Sequence, residues 1–325
     1  MWETISGLCH LLIFPGGLFA LVFGLFLKGV DRRMVARLQR RVGPPLIQPV
    51  LDICKLCTKE TMMPSTAHPE AFWLAPVIGL AGIGVCASVL PIPGVTEGLP
   101  FSGDLFVLLY LFPLPAIALM LAGSASGSPY GGLGFSREMI MMLAYELPLL
   151  MILLAVAVRV GGLNGTGAEF SLASIVQTQQ SHGSFGLTPA MWPALVAWFF
   201  FLPGTMGVPP FDIAEAETEL LEGPLLEYSG PLLAVFQLMS AIKTVVVLTI
   251  GVVLFFPGTF PIDGVLGGVI NLIWFMIKCV VLMFIGLSVA RAGFGRFRVD
   301  QALRFFLIWP SGLALVSLIL AWVAC

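Results

Sequence analysis

Long, uninterrupted apolar stretches recur from one end of the chain to the other, separated by short polar segments. Each stretch is about twenty residues long, which is the length that an α-helix needs to cross the hydrocarbon core of a bilayer. The stretches lack the alternation that is typical of barrel strands, and only helices or closed barrels satisfy the backbone polar groups in lipid. The pattern predicts eight membrane-spanning helices, at about residues 7–28, 71–91, 104–122, 138–158, 188–206, 230–256, 264–290 and 303–324.

The composition supports a membrane protein. Of the 325 residues, 58% are hydrophobic and only 10% are charged, whereas about a quarter of the residues are charged in a typical soluble domain. We therefore predict an all-α polytopic membrane protein in which residues 1–325 form a single integral membrane domain of the cell (inner) membrane. Prolines inside the predicted spans are expected to kink their helices. They are Pro113, Pro115, Pro148, Pro193 and Pro203.

Lys and Arg residues cluster in alternate connections between the predicted spans. The connection after the first span, loop 1–2, holds eight of them, and the connection after the seventh span holds four, whereas the connections on the opposite side hold only Arg159. Basic loops remain on the cytoplasmic side of a membrane. We therefore expect both termini to lie outside, and loop 1–2 and the connection between the fifth and sixth spans, loop 5–6, to lie in the cytoplasm.

Loop 5–6 contains an unusual concentration of acidic residues. Its segment "FDIAEAETELLEGPLLEYSG" (residues 211–230) holds a third of the acids of the chain and no base. Asp212 is a suitable N-cap for a helix that runs to about Glu222, where Gly223-Pro224 ends it. On the helical period, four acids form one stripe and Glu217 faces the other side. The acids of the segment are Asp212, Glu215, Glu217, Glu219, Glu222 and Glu227.

Two interpretations of this acidic loop remain open at this point. A charged stretch is usually a solvated helix, with no chemical role. However, half of the loop is apolar, so it is expected to pack against another element, and crowded, partly buried carboxylates acquire the raised pKa values that a proton relay requires. The acids cannot face lipid, where each would cost roughly 3 kcal/mol. They are therefore expected to line a cavity, an interface or water.

Ionisable residues inside the predicted spans favour the relay interpretation. Glu146 lies within the fourth span, Glu138 lies two turns earlier near its cytoplasmic end, and Lys243 and Lys278 lie within the sixth and seventh spans. Such residues commonly mark proton or ion paths. The alternative is a static ion pair, in which Lys243 or Lys278 neutralises Glu146 and holds two helices together.

Loop 1–2 is the other informative segment. Its basic run "DRRMVARLQRR" has helical character, Gly43-Pro44-Pro45 interrupts it, and "IQPVLDICKLCTKE" resumes with apolar residues at helical spacing. Such a loop binds lipid headgroups or docks a cytoplasmic partner. The chain shows no motif of a catalytic nucleophile with its base, and none that is typical of phosphate binding or nucleic-acid binding. The single Cys54-x-x-Cys57 pair cannot complete a metal site, and the three histidines, His10, His68 and His182, are far apart in sequence.

The two loops resemble those of a known family. "ARLQRRVGPPLIQPVLDICKLCTKE" (residues 36–60) and "PFDIAEAETELLEGPLLEYSG" (residues 210–230) are similar to the signature loops of the membrane subunit shared by complex I, where it is the H subunit in bacteria, and the group 4 energy-converting hydrogenases. "SREMIMMLAYE" and "GRFRVD" (residues 295–300) add to the likeness. The compact stretch 43–49 and "EGPLLEYSGP" resemble the hydrogenase and formate hydrogenlyase branch more than complex I.

The resemblance implies the role of a non-catalytic membrane anchor. It implies partners in the form of iron–sulfur and nickel–iron hydrogenase-like cytoplasmic subunits, with ferredoxin or formate as electron donor, and antiporter-like membrane subunits. The 4Fe–4S clusters and the nickel–iron centre are expected on those partners, with no cofactor on this chain. The implied partner interface comprises Arg37, Gln39, Arg40, Arg41, Gly43, Pro44, Gln48, Pro49, Asp52, Lys55, Arg296 and Arg298.

Redox events in the cytoplasmic arm are expected to shift carboxylate pKa values in loop 5–6 and so to drive a proton path across the membrane. The predicted path comprises Glu138, Glu146, Asp212, Glu215, Glu217, Glu219, Glu222, Glu227, Lys243 and Lys278. Two alternatives remain. One is the quinone-site subunit of a complex I, and the other is a proton-coupled secondary transporter, which predicts inverted repeats that the span pattern does not show.

Overall fold

The structure is a computed structural model that describes residues 13–14, 16–96, 103–165, 167–262 and 264–323, with the backbone alone for residues 217 and 218. His10 and the start of the first predicted span lie outside these residues. The regular secondary structure of the described residues is helical, apart from an isolated bridge between Ile92 and Thr96, which confirms the all-α class. Its α-helices are α1 (Gly17–Leu38), α2 (Gln48–Cys57), α3 (Pro69–Val89), α4 (Asp104–Leu111), α5 (Leu114–Ala125), α6 (Pro129–Asn164), α7 (Leu172–His182), α8 (Trp192–Thr205), α9 (Glu217–Leu220), α10 (Gly230–Phe255), α11 (Gly264–Met283), α12 (Val289–Gly293) and α13 (Val299–Val323).

Short helical turns complete the path of the chain. A π-helical turn, Phe284–Ser288, joins α11 to α12, so that the two form one continuous rod. The 3₁₀ turns of the described residues are Phe185–Leu187, Pro189–Met191 and Gly223–Leu225.

Six helical segments of the described chain are long and apolar enough to cross a membrane. They are Pro69–Val89, Asp104–Ala125, Pro129–Asn164, Gly230–Phe255, Gly264–Gly293 and Val299–Val323. The first predicted span, 7–28, overlaps α1 only over residues 17–28, and the second half of α1 is charged. The fifth predicted span corresponds to α8, which has only 14 residues. The count of eight spans and the outside position of the termini therefore stay predictions.

The prolines act differently from one helix to the next. The predicted third span divides at Pro113 into α4 and α5, whereas Pro148 and Pro203 lie inside helices that continue through them. Pro193 lies in the first turn of α8, where a missing N–H costs nothing because the first-turn amides have no intrahelical acceptor. The expected kink at Pro193 was therefore wrong.

Helix α10 lies at the centre of the bundle. All of its residues from Ala241 to Phe255 are buried, and it packs against α1, α3 and α11. Its approach to α1 is so close that a Cβ at Gly24 would lie 2.3 Å from the backbone oxygen of Ala241. The side chain of Lys243, on this central helix, is consequently held inside the protein rather than at a lipid-facing surface.

The structure corrects the prediction of a single helix from Asp212 to Glu222. The α-helical residues of this stretch are only those of α9, and Asp212 lies in the irregular segment that precedes it. Leu221 and Glu222 both adopt left-handed backbone conformations, with φ of 51° and 76°, and an α-helix cannot continue through them. The four acids therefore do not form one helical stripe. In loop 1–2, by contrast, the predicted basic helix and its apolar successor are confirmed as the end of α1 and as α2.

Candidate functional site

A cavity of about 360 Å³ lies between loop 5–6 and the helices α1, α6, α8 and α10. Thr205 and Gly207, at the end of α8, and Gln237 and Ser240, on α10, supply uncharged polar groups to its wall. The cavity is unusual because ionisable side chains reach it from five separate parts of the chain. They are Lys28, Glu138, Asp212, Glu215, Glu222, Lys243 and Arg291.

Loop 5–6 brings Glu215 into this charged environment. The neighbouring Ile213, Ala214 and Ala216 are buried, so the loop is anchored by its apolar residues and holds the carboxyl against the cavity. Burial, followed by the nearby carboxylates of Glu138 and Asp212, raises the pKa of Glu215 to about 7. A carboxyl with a pKa close to the ambient pH can take up and release a proton with little driving force.

Lys243 faces Glu138 and Glu215 from the central helix. Its side chain is 7% exposed, and its Nζ donates a hydrogen bond to the backbone oxygen of Thr205 at the end of α8. The positive charge attracts both carboxylates, although no nitrogen–oxygen distance among these three described residues is within 4 Å. The lysine is therefore placed to respond to the charge of either acid without being locked to one of them.

Two ion pairs hold loop 5–6, one near its start and one near its middle. Arg296 Nη2 lies 2.7 Å from Asp212 Oδ2, and Arg137 Nη1 lies 2.5 Å from Glu219 Oε2. The segment itself holds no base, and the bases that pair with these two acids come from other elements of the fold. Helical spacing along one segment cannot reveal such partners.

A third ion pair was missed by sequence reasoning. Asp31 of α1 accepts a hydrogen bond from Ser288 at 2.7 Å and pairs with Arg291 at 2.8 Å, which holds Arg291 at the edge of the cavity. Lys28, also missed, reaches the cavity from α1 and donates to the backbone oxygen of Gln237 at 3.2 Å. In the sequence, both bases indicated only orientation. The available signal was their position, with Lys28 at the end of the first predicted span and Arg291 directly after the seventh.

Other predicted path residues lie away from the cavity. Glu146 is two turns further along α6, and its Oε1 is buried with no hydrogen-bond partner among the described residues. Lys278 donates to the backbone oxygens of Phe256, at 2.8 Å, and Gly258. The described ion pairs do not join Glu146 to Lys278 or to Lys243, so the static pair is absent from this part of the chain.

The remaining acids of loop 5–6 occupy different surroundings. Glu219 is exposed beside Arg137, and Glu227 is partly buried but does not line the cavity. The side chain of Glu217 lies outside the described structure. The membership of Glu146, Glu217, Glu219, Glu227 and Lys278 in a proton path stays a prediction, and so does that of the predicted residues that line the cavity.

Six of the twelve residues of the predicted partner interface, Arg298 among them, are exposed. Arg37, Gln39, Arg40, Arg41 and Lys55 are exposed, whereas Pro49 is buried. Asp52 accepts hydrogen bonds from Arg32 at 2.9 Å and Gln48 at 2.8 Å, and the first of these lowers the pKa of its carboxyl. These contacts hold α2 against α1 and leave the basic end of α1 free to meet another protein.

Two free thiols, Cys54 and Cys57, are exposed on α2. Among the residues that the structure describes, no group of three or more His, Cys, Asp or Glu side chains is arranged to hold a metal ion. That this chain binds no cofactor stays a prediction.

Comparisons with known proteins cover almost the whole chain. A sequence model of the family described as NADH dehydrogenase matches residues 11–322. The chain is similar to the NADH-quinone oxidoreductase H subunit of Vesicomyosocius okutanii subsp. Calyptogena okutanii (strain HA), with 28% identity over 340 residues that cover 93% of this chain and 90% of the relative. It is also similar to NADH-ubiquinone oxidoreductase chain 1 of Chondrus crispus, with 32% identity over 314 residues and the same coverage.

A solved structure shares the fold. It is that of the membrane-bound sulfane sulfur reductase (MBS), described as an archaeal respiratory membrane complex. One of its chains matches with a TM-score of 0.85 and 26% sequence identity, over 97% of this chain and 99% of that one. The similarity therefore includes the loops that enclose the cavity as well as the helices.

Proposed function

The chain belongs to the NADH dehydrogenase family, the family of the complex I H subunits, and we propose that it anchors a cytoplasmic redox arm and couples its reaction to ion translocation. The arm in this proposal contains iron–sulfur and nickel–iron hydrogenase-like subunits of a ferredoxin- or formate-linked energy-converting hydrogenase, or of a close sulfur-reducing relative. Those subunits carry the 4Fe–4S clusters and the nickel–iron centre, and antiporter-like membrane subunits move the ions. This chain itself is non-catalytic.

The observation that carries the proposal is the convergence of charges on the cavity beneath loop 5–6. Glu215 comes from the loop that would face the arm, and Glu138 and Lys243 come from helices that would cross the membrane. A change of charge in the arm alters the proton affinity of Glu215, because Coulomb interactions in a partly buried site act over several ångströms. Glu138 and Lys243 then respond to the new charge of Glu215, so that the signal passes into the membrane.

The assignment to the hydrogenase or sulfur-reducing branch has two supports. The stretch 43–49 of loop 1–2 is compact, as in that branch, and the sulfur reductase chain is covered almost completely. A second candidate is the quinone-site subunit of a complex I, which is favoured by the names of the similar oxidoreductase subunits.

Replacing the cavity carboxylates tests the coupling role. We expect Glu215→Gln and Glu138→Gln to abolish ion translocation by the purified complex in proteoliposomes while electron transfer continues, because each amide keeps the shape of the side chain but cannot exchange a proton. Ion movement is followed with a pH-sensitive dye, and electron transfer with reduced ferredoxin or formate. Glu70→Gln, in the exposed first turn of α3, is the matched control.

Measurements on the same preparation of the complex distinguish between the candidate functions. Unchanged ion movement in both cavity variants would contradict the coupling role. Nickel in the wild-type complex together with hydrogen evolution supports the hydrogenase branch, and iron without nickel together with sulfur reduction supports its relative. Quinone reduction that a quinone analogue inhibits would assign the chain to a complex I instead.

A further inference from the structure

A second cavity, of about 220 Å³, lies next to the charged one but has a different character. Its walls are almost entirely carbon, and they come from α8, from the π-helical turn and α12, from the start of α13, and from loop 5–6. Six phenylalanines line it: Phe199, Phe200, Phe211, Phe294, Phe297 and Phe305. An apolar cavity of this size, left empty, would be unfavourable, because its lining atoms lose their packing partners.

Phe211 forms the partition between the two cavities, since its side chain lines both of them. Its ring lies 4.7 Å from that of Phe306 and 5.6 Å from that of Phe297, measured between centroids. The next residue, Asp212, belongs to the charged cavity and pairs with Arg296. Whatever fills the apolar cavity therefore packs against the segment that positions Asp212.

Two arginines are direct sequence neighbours of phenylalanines that line the cavity. Arg298 follows Phe297, Arg304 precedes Phe305, and both arginines are exposed. Neither belongs to an ion pair within 4 Å in the described part of the chain, and the exposed Asp300, which lies between them in the sequence, is not paired with either. Phe294, which also lines the cavity, is 64% exposed, so the cavity opens to the outside beside this segment.

We propose that this cavity is a binding site for an anionic phospholipid, with one acyl chain among the phenylalanines and the phosphate at Arg298 and Arg304. The cavity lies where α8, α12 and α13 end, which is the level of the headgroups if these helices cross the membrane. Hydrocarbon fits the carbon-lined walls, and a guanidinium binds a phosphate through two parallel hydrogen bonds. Two arginines that form no ion pair within 4 Å in the described part of the chain favour an anionic over a zwitterionic headgroup.

The site has a structural consequence for loop 5–6. A bound acyl chain would pack against Pro210 and Phe211 and supply the van der Waals contacts that these residues lack when the cavity is empty. Because Pro210 also accepts a backbone hydrogen bond from Phe297 at 2.9 Å, the lipid, the loop after α12 and loop 5–6 would form one packed unit. The position of Asp212 at the edge of the charged cavity would then depend on the lipid.

Photochemical labelling of the intact complex tests the site. The probes are phosphatidylglycerol and phosphatidylcholine that each carry a diazirine in one acyl chain, added to the detergent-purified complex. We expect phosphatidylglycerol to label the peptides that contain Phe294 and Phe297 several-fold more than phosphatidylcholine does. In an Arg298→Gln/Arg304→Gln variant, the labelling by phosphatidylglycerol should fall to the level of phosphatidylcholine, whereas Arg33→Gln, an exposed arginine of α1 outside the cavity, should leave it unchanged.

A second variant tests the acyl-chain pocket without changing charge. Ala290 lines the cavity and is partly exposed, so Ala290→Trp should fill it and remove the labelling, whereas Val281→Trp, on α11 outside the cavity, should not. Equal labelling by both lipids, or labelling that neither the double arginine substitution nor Ala290→Trp reduces, would overturn the proposal. Crosslinks from this surface to another subunit in place of lipid would overturn it as well. If Ala290→Trp prevents assembly, the arginine variant, which alters only exposed side chains, still decides.

Discussion

Two glutamates of loop 5–6, four residues apart, have pKa values that are shifted in opposite directions, because their neighbours differ. Glu215 is turned towards the cavity, where burial and the carboxylates of Glu138 and Asp212 raise its pKa to about 7. Glu219 is exposed and accepts a hydrogen bond from Arg137, which lowers its pKa. Glu215 can therefore exchange a proton near neutral pH, whereas Glu219 stays ionised and serves to hold the loop on α6.

The raised pKa of Glu215 makes the stability of the protein depend on pH. An ordinary glutamate has a pKa of 4.5, so between this value and about 7 the folded protein keeps a proton that the unfolded chain releases. The free energy of unfolding contributed by this group therefore falls as the pH rises through that window. We expect Glu215→Gln, which cannot ionise, to be more stable than the wild type above about pH 7 and to show a flatter dependence of Tm on pH.

Thermal unfolding of the purified complex between about pH 5 and pH 8 measures this difference. Glu227→Gln is the control, since Glu227 lies in the same loop but does not line the cavity. A wild-type Tm that changes with pH in parallel with that of Glu215→Gln would show that Glu215 is not the titrating group.

The sequence shows which ionisable residues are unusual and where they lie in the chain, but it does not show which side chains they contact. The sequence identified Glu138, Glu215 and Lys243 as unusual because of their predicted surroundings, and the structure places all three at one cavity. The sequence did not predict that Arg137 and Arg296 reach loop 5–6, since each is about eighty residues distant from its acid. Only the packing of α6 and of the loop after α12 brings these charges together.

The conformation of loop 5–6 depends on a run of left-handed residues. Leu221, Glu222 and Gly223 all have positive φ angles, which turn the chain sharply after α9. A Cβ at Gly223 would lie 2.2 Å from the backbone oxygen of Ala214. The loop therefore folds back on itself so closely that this position has room only for glycine, and this fold sets the direction in which Glu215 faces.

Substituting this glycine should displace the loop. Gly223→Ala introduces both a disfavoured φ and a clash with backbone atoms, so we expect a loss of stability of about 2 kcal/mol or more and impaired ion translocation. Gly165→Ala provides the matched control, because Gly165 also has a positive φ, of 72°, but a Cβ added there would have no atom within 4 Å, and it does not line the cavity. It should show only the conformational penalty, about 1 kcal/mol.

Tm of the two purified variants and their ion translocation in proteoliposomes provide the measurement. Equal effects of the two substitutions would mean that the close contact between residues 214 and 223 does not constrain the loop.

There is a physical reason why the predicted helix from Asp212 to Glu222 in loop 5–6 does not form. Acids at helical spacing after a proline pair satisfy the local rules for a helix, and nothing in the residue types of Leu221 and Glu222 indicates left-handed conformations, which are uncommon for such residues. Burial of Ile213 and Ala214 against the cavity competes with the helix and prevails. Long apolar helices such as α10 lack this competition, and their approximate bounds were predictable from hydrophobicity alone.

At the scale of the whole molecule, three loops form one continuous surface. Loop 1–2 meets loop 5–6 where Met62 N donates to Ser229 Oγ at 2.9 Å, and the loop after α12 meets it where Phe297 N donates to Pro210 O. The distribution of apolar and basic residues in the sequence predicts both the all-α fold and the clustering of these loops on one side. The number of spans does not, because α1 carries charges in its second half and α8 is short.

The shared surface makes the predicted orientation testable with the cysteines of the chain. Cys54 and Cys57 are exposed on α2 within this surface, whereas Cys86 and Cys279 are buried. In a background in which Cys9 and Cys325, which lie outside the described residues, are replaced by serine, a membrane-impermeant maleimide should label inside-out vesicles and not intact cells. A Cys54→Ser/Cys57→Ser variant should lose that labelling, which identifies the reacting thiols.

The same label reports whether the arm docks on this surface. If loop 1–2 is the contact, Cys54 and Cys57 in inside-out vesicles should react several-fold faster after the peripheral subunits have been stripped than before, because a docked protein excludes the reagent from the thiols that it covers. Arg40→Gln/Arg41→Gln, which removes two exposed charges of the predicted interface, should raise the rate in unstripped vesicles towards the stripped value. Labelling of intact cells would reverse the orientation, and equal rates before and after stripping would place the docking site away from loop 1–2.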